Sequence, residues 1–344
     1  MTAILSPAAP ADAVAPRSRR RSRRAVVTGV VGGTLLAGLV LLGLMTGSTP
    51  LGVGEVLTAL GGGDGAQILW RVRLPRVVAA VVIGAALGLS GAVFQSISRN
   101  PLGSPDLIGF VTGAATGAVV ALTLFDARPG AVSVAAVVGG LVTAVAVLLL
   151  SRRADGSAGY RLVLVGIGAG AFLQAVNSLV LTRVDGQEAI AAQLWLVGSL
   201  TAIGWSDTLV AVVGLAAMVP VIAVLSRHLV VMELGDDFAG QVGVRVQGVR
   251  IVAMMAATGL AAAATAAAGP ISFVALAAPH LVRRIARTPA TPFALSALSG
   301  AVLLLAADLA AQSLPLGLRV PVALMTGVLG GVYLLWLLTR SRWR

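Results

Sequence analysis

The chain has 344 residues, 58% of them hydrophobic and only 11% charged, with a mean hydropathy of +0.97. Soluble domains carry about 25% charged residues, so the composition describes an integral membrane protein and excludes a large soluble enzyme. Cysteine is absent and all 25 basic residues are arginine, which removes disulfides, thiol chemistry, the P-loop lysine and Schiff-base chemistry.

Residues 1–24 are rich in Pro, Ala and Arg and end in the run Arg17 to Arg24. They read as a disordered, arginine-rich cytoplasmic tail preceding a permease domain over 25–344. The apolar stretch Ala25 to Met45 is longer than the roughly 7–15 residues of a signal-peptide core, and is expected to remain as the first transmembrane helix. Crossing a bilayer takes about 20 apolar residues. Further segments are predicted near 77–97, 105–125, 130–150, 161–182, 207–226, 250–268, 271–286, 292–313 and 320–339. The piece 271–286 is short. Counting it gives about ten helical segments, an all-α polytopic fold with both termini on one side. With the N-terminus inside, only Arg71, Arg73, Arg76, Arg128, Arg183 and Arg319 of the 25 arginines lie outside. This is the asymmetry of the positive-inside rule. The formal charge of +12 is therefore a topology signal and gives no reason to expect nucleic acid as a partner.

Glycines recur four apart, as at Gly84 and Gly88 or at Gly109, Gly113 and Gly117, a spacing that lets helix backbones approach closely. Only Asp308 lies inside an apolar segment, which disfavours a proton-driven carrier. No nucleophile, base or metal cluster is legible, so neither an enzyme nor a resident metal is expected. His228 and His280 are too few and too far apart for a metal site, and His280 reads as hydrogen-bonded to a neighbouring helix.

Four blocks carry further information. The first runs from Trp70 and holds Arg73-Leu-Pro-Arg76, Gly84, Gly91, Gln95, Asn100-Pro-Leu102, Pro105 and Gly109. The second is Leu234-Gly-Asp-Asp-Phe-Ala-Gly-Gln-Val-Gly-Val244, and the third runs from Gly269-Pro-Ile-Ser through His280 to Arg284. The last is Val320-Pro-Val-Ala-Leu-Met-Thr326 to Gly330. In this order and spacing they closely resemble the iron–siderophore and cobalamin permease (FecCD-like) family of ATP-binding-cassette importers, over about residues 25–340.

The resemblance implies the type II importer permease architecture, in the bacterial cytoplasmic membrane and surrounded by lipid. It implies a second permease subunit (a copy or a paralogue), ATP-binding subunits that carry the hydrolysis, and an extracytoplasmic substrate-binding lipoprotein. No cofactor belongs to the chain itself. Ferric siderophores are the expected cargo, with cobalamin or haem as the family's alternatives. A stand-alone secondary transporter is the rival of another class.

Site residues follow from the same resemblance. The segment about 234–244 is expected to be the coupling helix that enters a groove of the ATPase, through Asp236, Asp237, Phe238, Gly240, Val242 and Gly243. Carboxylates at its start suit the helix dipole, and Gly243 suits a left-handed cap. Asn100 and Leu102 are expected at the cytoplasmic gate, where Pro101 must break the helix, with Tyr160 as the gate element before the fifth span. Gln174 and Asn177 are the polar candidates along the pathway. Arg73 and Arg76 are expected to dock carboxylates of the binding protein. The family's third docking arginine is replaced by Gln312, and Arg319 stands nearby to take its place.

Overall fold

The computed structural model describes residues 15–47, 49–106, 108–125, 127–151, 158–288, 290–314 and 320–341. Every regular element among them is helical. In chain order these are α1 (Ala15–Met45), α2 (Val53–Leu60), α3 (Ala66–Ile68), α4 (Leu74–Ser98), α5 (Phe110–Leu124), α6 (Pro129–Ser151) and α7 (Ala158–Leu181). There follow α8 (Gly186–Leu196), α9 (Trp205–Met232), α10 (Asp236–Gln241), α11 (Val246–Ala268), α12 (Val274–Ala286), α13 (Phe293–Ser313) and α14 (Val322–Ser341).

Seven helices among the described residues are long and apolar enough to cross a membrane: α1 from Arg23, α3 with α4 as one run, α6, α7, α9, α11 and α13. The apolar helices α5 and α14 are shorter by that measure, and α12 has 13 residues. The segment expected to begin near 105 becomes helical only at Phe110. Pro105 and Asp106 sit in turns, and Gly109 adopts a left-handed conformation (φ +79°) immediately before α5. The short helices α2, α3 and α8 have no counterpart in the hydropathy reading, since eleven residues at most cannot span a bilayer.

The interior is built around α4 and α11, the two most buried spans, while the apolar window of α1 has no buried residue. α4 packs on α13, α12, α9 and α11. Backbone meets backbone at these crossings because the sequence supplies no side chain there. A Cβ on Gly84 would lie 2.4 Å from the Gly300 carbonyl oxygen, one on Gly88 2.3 Å from that of Ser296, and one on Gly91 1.7 Å from that of Ala275. Small-residue seams of this kind substitute for a hydrophobic driving force between helices in lipid.

α3 enters α4 through a π-helical turn, Leu69–Arg73, and Pro75 accounts for its form. The Leu74 N–H donates to the Leu69 carbonyl, one residue further back than in an α-helix. The Trp70 carbonyl thereby loses its α-helical donor, and Pro75, the donor a π turn would offer it, has no N–H. Trp205, at the start of α9, fills the gap: its indole Nε1–H donates to the Trp70 oxygen at 2.7 Å. The Thr208 hydroxyl donates to the Gly204 carbonyl of its own helix at 2.8 Å and also lies 3.2 Å from the Pro75 carbonyl at the start of α4.

Candidate functional site

The bundle has two chemically distinct ends. One gathers the start of α1, the end of α4, α10, and the loop from α12 to α13. There the Glu233 carboxylate accepts from the Thr291 hydroxyl at 2.5 Å, and Asp236 meets Arg99 and Arg250. The other end gathers the end of α1, α2, the π turn, and the starts of α4 and α9.

At the first end, α10 covers Asp236–Gln241, inside the predicted 234–244. Asp236 and Asp237 occupy its first turn, as expected. It closes in a Schellman arrangement: the Gly243 N–H donates to the Gly240 carbonyl, and the Val244 N–H donates to that of Ala239. Gly243 has φ +87°, the left-handed geometry that glycine adopts without a Cβ penalty. Ala239 is buried against the body, whereas Phe238 and Val242 are exposed (47% and 56%). Gly240 faces open space, with nothing within 4 Å of a would-be Cβ. Two apolar side chains in solvent on a six-residue helix form a contact surface that the chain itself does not cover.

Asp236 is also the anchor of α10. One carboxylate oxygen accepts from Arg250 Nη2 at 2.6 Å and the other lies 3.6 Å from Arg99 Nη2. Arg99 ends α4 with a left-handed φ of +49°. The next residue is Asn100, whose Oδ1 accepts the Leu102 N–H at 2.9 Å, a side-chain turn of the Asx kind. Leu102 is 52% exposed at the tip. A single carboxylate therefore joins the exposed helix α10 to the Asn100–Leu102 turn. Sequence reading had no signal for Arg99, whose partner is 137 positions away. Tyr160 lies in α7, but its side chain falls outside the described residues. On α7, Gln174 is exposed while Asn177, three residues on and so on the same side of the helix, is buried.

At the opposite end the arginines are engaged within the chain. Arg73 is buried; its Nη1 donates to the Leu44 and Met45 carbonyls at 2.7 and 3.1 Å, and its Nη2 to the Thr49 carbonyl. It thus satisfies orphan carbonyls at the end of α1, the task a basic C-terminal cap performs. Arg76 forks onto Asp308: Nη2 donates to Oδ1 at 2.8 Å and Nε to Oδ2 at 3.0 Å. Gln312 Nε2 donates to the same carboxylate at 2.9 Å. Asp308 is 2% exposed at its side chain and Arg76 20%. Arg71 is the exposed member of the cluster. Arg319 lies outside the described residues. A cavity of about 340 Å³ opens at this end, lined in part by Ser133, Trp195, Thr201 and Asp207.

Two interior polar groups complete the picture. His280 Nδ1 lies 2.6 Å from the Tyr333 hydroxyl, the bond to a neighbouring helix that its isolation suggested. Asp106 escaped sequence reading although it falls at the start of the predicted 105–125 segment. It is enclosed beside the first turn of α12, where its Oδ2 accepts the Phe273 N–H at 3.4 Å and the buried Ser104 hydroxyl is its side-chain neighbour. No group of three or more metal-ligating side chains occurs among the described residues.

These features define an all-helical, multi-pass membrane protein with one exposed, capped helix at one end and an arginine-lined rim at the other. The chain belongs to the FecCD transport family, whose sequence model matches residues 35–340. Among curated proteins, the ferric enterobactin transport system permease protein FepG of Escherichia coli K12 is 44% identical over 93% of this chain and 98% of its own length. The achromobactin transport system permease protein CbrC of Dickeya dadantii is 38% identical, over 95% and 96%. The hemin transport system permease protein HmuU of Yersinia pestis is 36% identical, over 80% and 84%. A solved metal-chelate type ABC transporter in an inward-facing conformation superposes with a TM-score of 0.82 at 27% identity, covering 90% of this chain and 98% of that one.

Proposed function

We propose that the chain is the membrane-spanning permease subunit of an ATP-binding-cassette importer that carries ferric siderophore complexes across the bacterial cytoplasmic membrane. The observation that carries this reading is the 44% identity to the ferric enterobactin permease over nearly the full length of both chains. Hydrolysis belongs to separate ATP-binding subunits, delivery to an external binding protein, and the pathway forms against a second permease subunit. The end that carries α10, with both termini, faces the cytoplasm, where most of the arginines of the sequence fall.

Work enters at α10. Phe238 and Val242 seat in a groove of the ATPase, Gly240 lets the backbones close, and Asp237 and Gly243 fix the ends of the lever. Asp236 passes the displacement to Arg99, and so to the turn where Asn100 holds Leu102 as a plug, and Tyr160 is the second gate residue. Gln174 and Asn177 are the polar groups that line the pathway from α7. On the outer rim, Arg76 is held ready by Asp308 and presents its remaining guanidinium edge to the binding protein, Arg71 is exposed at the same rim, and Arg319 is a further docking residue. Arg73 keeps the rim in shape. An exposed ion pair contributes about 0.2–1 kcal/mol, whereas close pairs desolvated in an interface couple by about 1.5–7 kcal/mol, so a pre-positioned Arg76 carries more than its neighbours.

The test is reconstitution in proteoliposomes with the ATP-binding subunits, second permease and binding protein, following uptake of radioiron as ferric enterobactin. Uptake is expected to need ATP and every subunit. Gradient-driven transport by this chain alone would replace the reading with a secondary carrier, and preferential uptake of haemin or cobalamin would replace the cargo. The lever has its own check. Gly240→Cys should react with an impermeant thiol reagent only from the cytoplasmic side, the chain having no other cysteine. Gly240→Arg should fold normally, since its surroundings are empty, yet lose uptake and ATPase association. Normal uptake by Gly240→Arg removes α10 from the coupling path.

A further inference from the structure

We propose that the start of α1 and the end of α12 form a binding site for the headgroup of an anionic phospholipid, with an acyl chain lying along α1. The inference rests on the chain being embedded in a bilayer and is independent of what it transports.

The site is created by how α1 is seated. Gly29 and Gly32 bring α1 onto α13, their would-be Cβ atoms falling 3.4 and 2.9 Å from Leu295 and Leu298. This sets the basic first turns of α1 beside Arg287, which turns the chain away from α12 with a left-handed φ of +52°. Between them lies an open cavity of about 600 Å³, lined by Arg23, Arg24, Val27, Thr28, Ile285 and Arg287. Three guanidinium groups share it, and no carboxylate of the described residues lines it. None of the three makes a hydrogen bond or ion pair with another described residue. Like charges gathered without a counter-charge repel one another; a phosphate relieves that repulsion, and its oxygens match the planar fork of arginine.

What selects a lipid over a soluble anion is the surface that continues from the cavity. Arg24, Thr28, Val31, Leu35, Gly38 and Leu42 follow one another at alternating steps of four and three, which is a single face of a helix. Along it runs an apolar furrow bordered by Val31, Leu35, Gly38 and Leu42. No neighbouring element fills it; Gly38 has nothing within 4 Å of a would-be Cβ. From Val30 to Leu42 the helix rises roughly 18 Å, close to one leaflet of a hydrocarbon core about 30 Å thick. A diacyl phospholipid occupies both parts at once, while a free anion would leave the furrow bare. Basic pockets between transmembrane helices on the cytoplasmic side bind anionic headgroups by this chemistry.

The experiment is native mass spectrometry of the full-length chain in mild detergent, titrated with phosphatidylglycerol or phosphatidylcholine. Wild type should bind phosphatidylglycerol in preference to phosphatidylcholine. Arg23→Gln/Arg24→Gln/Arg287→Gln should bind it on the order of 100-fold more weakly, about fivefold for each arginine removed. Gly38→Trp, which fills the furrow without changing charge, should also weaken it, and Arg183→Gln, at the other end, should not. Thermal melting of each variant separates lost binding from lost fold, and Arg287→Gln alone serves if the triple variant does not fold. Equal phosphatidylglycerol binding by wild type and the arginine variants, or no preference over phosphatidylcholine, overturns the proposal. Displacement by excess inorganic phosphate, with Gly38→Trp unaffected, makes the cavity a soluble-anion site. Loss of ATPase binding with lipid binding unchanged makes it a protein contact; either result rejects the lipid.

Discussion

Asp308→Leu is expected to cost roughly 3–5 kcal/mol of stability, the penalty of stranding one partner of a buried, hydrogen-bonded ion pair. The carboxylate is held by Arg76 through two bonds, at 2.8 and 3.0 Å, and by Gln312 at 2.9 Å. Its removal leaves a largely buried guanidinium with no counter-charge. Removing both charges together leaves nothing stranded, so Arg76→Leu/Asp308→Leu should be closer to wild type than Asp308→Leu alone. Thermal melting of the two single variants and the double variant in detergent gives the coupling directly. Additive losses would mean that the pair is not coupled. The stable double variant then separates structure from docking: it should keep its fold and lose affinity for the binding protein. Full affinity would leave Arg76 a purely internal role.

Gly91→Ala should be as damaging as a charge removal, although it adds one methyl group. The new carbon would fall 1.7 Å from the Ala275 carbonyl oxygen, in the first turn of α12. Overpacking a core costs about 1–3 kcal/mol when side chains can yield. Here the obstacle is backbone, so α4 and α12 must separate along their length, and the loss is expected at or above about 3 kcal/mol. Gly91→Leu should yield no folded protein. Gly33→Ala, with nothing within 4 Å, should melt like wild type. A melting temperature for Gly91→Ala matching that of Gly33→Ala would show that α4 and α12 are not in backbone contact.

The features readable from sequence were those governed by local chemistry. Long apolar runs specify α6, α9 and α11, and charge followed by Gly-Gln-Val-Gly specifies α10 with its Gly243 cap. Proline at 101 specifies the break after α4. What escaped depends on partners far along the chain. Arg73 and Arg76 are expected from sequence to dock carboxylates of a partner, yet within the chain one reaches Leu44 and the other Asp308, 232 positions away. No spacing rule encodes either pairing. Asp106 escaped for a related reason. The backbone N–H it accepts belongs to Phe273, so its burial follows from the meeting of two loops. Gln312, where the resemblance implied a lost docking arginine, is legible only in the structure as a second donor to Asp308. Helices α2, α3 and α8 were missed because hydropathy registers length, and they are too short to register.

The irregular turn before α4 has a consequence for how this sequence can drift. Positions 70, 75 and 205 form one energetic unit: proline at 75 withholds an amide hydrogen, the carbonyl of residue 70 is left wanting one, and an indole from another helix supplies it. Exchange proline for a residue with an N–H and the carbonyl can find a donor in its own strand of chain, so that tryptophan at 205 becomes dispensable. Keep proline and lose tryptophan, and the exposed carbonyl loses its protein donor and must turn to solvent. The two substitutions are thus unequal when made singly and nearly free when made in the right order, which constrains the path of change at this rim more than the identity of any one residue does.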